Sequence, residues 1–155
     1  MVNDNVGGIS HILAVPQKEA SLREGYLFDE HVELTISDWT KTVKLPPFVG
    51  KKWSMKENIA MEEHGSKSSI TFSCPVLSKM LSERDKNTLK RGCWIVYFLD
   101  NNGNGHIAGN RYDFLRCKVG FETGTQETEA GKLPIEFFGV CADGVRPCSL
   151  VMAEY

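Results

Sequence analysis

A chain of 155 residues and 17.4 kDa suits one domain, because a compact chain of this size buries roughly 68–70 % of its unfolded surface. Its composition, 41 % hydrophobic, 10 % aromatic and 25 % charged, excludes a disordered, collagen-like or disulfide-stapled chain. Eighteen basic and 20 acidic residues leave a net charge of −2 and a pI near 6.1, so no strong overall field draws the chain to DNA or to anionic lipid, which argues against nucleic-acid binding as its main role.

In chain order, a period of two recurs in short runs separated by Gly, Pro, Asn and Asp, which predicts strands. The first covers residues 8–15, with Ile9, Leu13 and Val15 on one face and Pro16 ending the pairing because it lacks a donor. In the second, Val32, Leu34 and Ile36 alternate with His31, Glu33 and Thr35. Residues 41–56 follow, with five lysines, no acid and a Pro46-Pro47 pair that keeps the middle extended and out of a central sheet position. They are expected to project as a loop or edge hairpin reaching to about residue 66.

A third strand is predicted over 68–74, with Ile70, Phe72 and Cys74 inward. One helix is predicted between Pro75 and Arg91, where Leu77, Met80 and Leu81 make an i, i+3, i+4 patch and Gly92 suits a stop. Residues 93–99, Cys-Trp-Ile-Val-Tyr-Phe-Leu, are apolar on both faces, so this strand belongs in the middle of the fold with cover on each side. After a Gly/Asn turn, residues 112–121 place Leu115, Cys117, Val119 and Phe121 inward. Residues 122–131 carry three glutamates and no base and are expected to be a long solvated connection. Strands over 133–142, with Ile135, Phe137 and Cys141 inward, and 149–154 complete the chain. The expected fold is mainly β: an antiparallel β-sandwich or distorted barrel with one short α-helix packed at its side or end, in a single domain over 1–155.

The five cysteines are odd in number and include no Cys-x-x-Cys pair, which reads as reduced core thiols. Residues 1–8 lack a basic segment followed by an apolar core, and no stretch approaches the roughly 20 apolar residues of a membrane span. No signal peptide and no membrane are therefore expected, and the product is expected to stay inside the cell that makes it. Residues 100–105, Asp-Asn-Asn-Gly-Asn-Gly, match the opening of a calcium loop, yet the twelfth position is Arg111 where a bidentate carboxylate is needed, so a hairpin turn is the expected reading. The four histidines fit no metal spacing. A Cys117–His106 nucleophilic pair is weighed against a core thiol and a surface histidine, and no nucleophile elbow, phosphate loop or dinucleotide fingerprint occurs. No catalytic residue, metal or cofactor is expected.

Phe48 and Trp53 among the lysines resemble a stacking surface for single strands, but the patch has no arginine. Aromatics beside cations suit protein contact better. The lysine segment carries about +5 and the glutamate segment about −3; copies of the chain could therefore meet head to tail and form rings or filaments. The expected contact residues are Lys41, Lys44, Phe48, Lys51, Lys52 and Trp53 on one side and Glu122, Glu127 and Glu129 on the other.

Residues 7–16 (Gly-Gly-Ile-Ser-His-Ile-Leu-Ala-Val-Pro), 89–103 with Ala108-Gly109-Asn110, and Thr123-Gly124 through Phe137-Phe138-Gly139-Val140 resemble, in layout across most of the chain, small β-rich virion proteins of tailed bacteriophages, tail-tube-like proteins especially. Cys148 near the terminus departs from that layout. The resemblance implies a ring-forming subunit whose rings stack into a conduit, with partners that are copies of itself and other virion proteins. It also implies a virion location after synthesis in the host cytoplasm, a lumen through which DNA passes passively without sequence-specific binding, and no catalytic residues. By position, 41–56 would be the projecting interface hairpin and 122–129 a partner surface or lumen lining. The alternative is a β-sandwich binding module that recognises a glycan or protein through Trp39, Trp53 and the Asn-rich 100–110 turn.

Overall fold

A computed structural model describes residues 3–9, 12–24, 31–45, 53–62, 65–77, 81–100, 102–120 and 132–151. Two sheets face each other. One has five strands in the order β1 (Asn3–Ile9), β6 (Trp53–Glu62), β7 (Gly65–Leu77), β11 (Lys132–Cys141) and β10 (Arg116–Val119), all antiparallel. The other has seven, in the order β3 (Ala20–Glu24), β4 (Val32–Ile36), β12 (Val145–Val151), β9 (Gly105–Ala108), β8 (Trp94–Leu99), β2 (Ile12–Pro16) and β5 (Val43–Leu45). The mainly β architecture, with one α-helix among the described residues, α1 (Glu83–Arg91), is the expected class. The sandwich is not wholly antiparallel, because β4 lies parallel to β12.

The apolar alternation builds two cores. Between the sheets lie Trp53, Met55, Phe72, Trp94, Val96, Phe98 and Phe137 with their neighbours. On the outer face of the seven-stranded sheet, Leu13, Val15, Ile95 and Ile107 pack with Val32, Leu34 and Ile36. The latter three come from β4, four places from β2 in the sheet, so the sheet rolls over on itself to bring them into one cluster. This double cover explains the two-faced apolar run: Trp94, Val96 and Phe98 enter the first core, and Ile95 and Tyr97 the second.

Four boundaries differ from the expectation. The strand expected over 112–121 is Arg116–Val119 among the described residues, and the last, expected over 149–154, begins earlier, at Val145. The run 8–15 is two strands in different sheets, so Ile9 belongs to the first core and Leu13 and Val15 to the second. The helix begins only after Ser82. β7 runs on through Pro75 to Leu77 because the Phe72, Cys74, Val76 alternation keeps burying side chains against β11. Pro75 lies directly opposite Pro134, a position that suits residues without an N–H only where the pair exchanges no hydrogen bonds; accordingly the Pro134 carbonyl points the other way and accepts from Gly120 N at 2.7 Å. Ser82 and Asp85 close a reciprocal capping box, Glu83 and Asp85 sit in the first turn, Lys90 and Arg91 in the last, and Leu89 is the side chain the helix buries.

Candidate functional site

The expected contact residues are placed very differently. Trp53 is no surface aromatic. It is fully buried, its ring 6.3 Å from that of Phe137, and its Nε1 donates to the Leu45 carbonyl at 2.8 Å. Flanking lysines obscured this in the sequence, but position 53 starts the alternation Trp53, Met55, which shares its sheet face with Phe72 on β7 and packs in one core with Trp94, Val96 and Phe98 of the other sheet. Within the 41–66 segment, Val43–Leu45 is an edge strand on β2, and β6 pairs with β7 as far as Glu62 and with β1 from Trp53 to Asn58. Phe48, Lys51, Lys52, Glu122, Glu127 and Glu129 lie outside the described residues.

Lys41 and Lys44 are exposed. Lys41 Nζ is 3.7 Å from Glu19 Oε2 and 4.0 Å from Asp38 Oδ2, so part of its charge is answered within the subunit. The Thr40 hydroxyl and amide, and then Lys41, hold the Asp38 carboxyl below its ordinary value. Lys41 also lines a cleft of about 590 Å³ with Arg84 and Asp85 of α1, alongside the β5 edge. Trp39 is half-buried against the second core.

The β6–β7 hairpin is a feature the sequence did not single out. Its inner face, read along β6, runs from Trp53 and Met55, both buried, through Glu57 to Ile59 (38 % exposed) and Met61 (79 % exposed). Glu57 marks the rim of the sandwich, where its Oε2 accepts from Val145 N at 3.1 Å. Among the described residues, β1 pairs no further than Asn58, and β11 no further than Ser68. Beyond them the hairpin is a two-stranded ribbon carrying its apolar face past the core.

The 100–105 segment is a turn. Asp100 Oδ1 accepts from Asn102 N and Asn104 N at 2.8 and 2.9 Å, and Oδ2 lies 2.9 Å from His106 Nε2. The His106 hydrogen bond first, then these amides, pull the Asp100 carboxyl down to about 2. Both oxygens thus face N–H donors, and no group of three or more acidic, His or Cys side chains among the described residues could hold a metal. His106 stacks on Phe98 with centroids 5.2 Å apart. Cys117 lies across the sandwich in β10, its thiol pushed up to about 12 by burial and then by Glu136, the reverse of what an activated nucleophile requires. All five cysteines are free, as expected, and Cys93 alone is half-exposed.

No helix among the described residues is long and apolar enough to cross a membrane. Comparison with protein-family models, with curated proteins and with solved structures found no match to this chain.

Proposed function

We propose that the chain is a structural subunit that associates with copies of itself, in the manner of a tail-tube-like virion protein. The observation that supports this reading is the ribbon at the end of β6 and β7. A two-stranded ribbon is at best marginally stable alone in water, and this one presents Ile59 and Met61 on the side that should be covered. A neighbouring copy laid against that face would supply the missing layer. The sheet edges at β1, β10, β3 and β5, unpaired among the described residues, offer further pairing surface, and the exposed Lys41 before β5 and Lys44 within it would set the register against an acidic surface.

The test is negative-stain imaging and solution mass of the full chain at tens of micromolar, in moderate and high salt. Rings, tubes or discrete oligomers are expected, with added salt loosening the charged part of the contact. A monomer under every condition would overturn the proposal.

A further inference from the structure

Away from the ribbon, a cleft of about 660 Å³ opens between the residues that lead into β3 and the loop that follows β9. Its volume falls within the range that holds small ligands. Lys18, Arg111, Tyr112 and Asp143 are among the residues that line it. Tyr112 is 81 % exposed.

The scaffold beneath these side chains is fixed. Asn110 Oδ1 accepts from both Tyr112 N and Asp113 N at 2.8 Å, and Asn110 Nδ2 donates to Asp143 Oδ2 at 2.9 Å. Gln17 Nε2 donates across the cleft to the Arg111 carbonyl at 2.6 Å, tying the two walls together. The Asp143 carboxylate also lies 3.7 Å from Arg146, so its charge is already answered. Among the described residues Lys18 and Arg111 form no ion pair, which leaves the cleft with two available cations beside an exposed aromatic face.

We infer that this cleft binds an acidic saccharide. A pyranose ring presents an apolar C–H face that lies flat on the Tyr112 ring. Its carboxylate would be taken by the Arg111 fork with Lys18 as a second charge, and the free Asp143 oxygen accepts from a ring hydroxyl. A neutral sugar offers the ring without the charge, and a simple anion offers the charge without the ring. Neither satisfies the site alone. This inference does not depend on the ribbon contact, since none of these residues lies on the ribbon.

The experiment is calorimetric titration of the full chain with oligogalacturonate, with a neutral maltooligosaccharide of equal length, and with inorganic phosphate. Saturable binding of the oligogalacturonate alone is expected, weakened about tenfold by Tyr112→Ala and lost in an Arg111→Gln, Lys18→Gln double variant with an unchanged circular dichroism spectrum. The inference is overturned by equal binding of the neutral sugar, by no saturation up to about 10 mM, or by phosphate competing fully while Tyr112→Ala leaves affinity unchanged. Should the double variant fail to fold, Tyr112→Ala and the neutral sugar still decide.

Discussion

Asp100 illustrates how a side chain that resembles a cation ligand is engaged by its own backbone. Asn and Asp tolerate tight turns because their side chains bond the chain two residues on, and here Asp100 also fixes the His106 ring. Its depressed acidity has a signed consequence. A carboxyl at about 2 when folded, against about 3.9 when unfolded, contributes stability that is present above about pH 4 and lost as pH falls toward 2. Carboxyl NMR titration should place Asp100 near 2, and His106→Ala should return it toward the ordinary value; an unchanged Asp100 in that variant would contradict the assignment.

The thiols run the other way. Burial pushes Cys117 and Cys141 up to about 12 and Cys148 up to about 11, so their neutral forms favour the fold up to about pH 8.5, with stability declining above that. A thiol reagent at pH 8 should modify one cysteine quickly in native protein, Cys93, and five after unfolding. Two or more fast native thiols would contradict this burial.

At the scale of elements, what was legible was what periodicity encodes without ambiguity. Residues 94–99 alternate between two apolar faces and sit between two cores, and β4 shows its strict inward and outward alternation. The short strands β3 and β9 gave no such pattern, being five and four residues long, too short to show a period beside the turns that flank them. Trp53 was misplaced because its neighbours in sequence are lysines whereas its neighbours in space are aromatic. The helix start was misjudged for a related reason: Pro75 suits a first helical turn and a non-bonded strand pair equally well, and β11 decides between them.

Gly92 offers a test at this scale. Its φ of −83° is open to any residue, but a Cβ there would lie 2.7 Å from the Trp94 indole, whose Nε1 donates to Leu89 O at 3.0 Å. Gly92→Ala should therefore destabilise by about 1–3 kcal/mol through overpacking, more than the roughly 0.4–1 kcal/mol gained from a stiffer unfolded chain. Urea denaturation measures it, and a stabilised variant would show that the indole is not locked against this turn.

For the whole molecule, the seven-stranded sheet already covers both of its faces, one against the five-stranded sheet and one by rolling over. The five-stranded sheet extends past that cover at the β6–β7 ribbon, and there Ile59 and Met61 on its inner face are exposed. The expected contact segments, 41–56 and 122–131, rested on charge and on Phe48 and Trp53, and of these Phe48, Lys51, Lys52 and the three glutamates fall in 46–52 and 121–131. Those residues lie outside the described structure, whereas the ribbon provides an apolar surface that can be altered directly. Burying an Ile or Met side chain is worth roughly 1.5–3 kcal/mol, so charges at both positions should weaken association by more than a factor of about ten.

Sedimentation velocity of the full chain beside an Ile59→Glu, Met61→Glu variant tests this most directly. The parent should sediment as an oligomer at tens of micromolar, and the variant, with the same urea midpoint, as a 17.4 kDa monomer. Identical sedimentation of the two proteins, whether both monomeric or both assembled, would contradict an assembly built on this face.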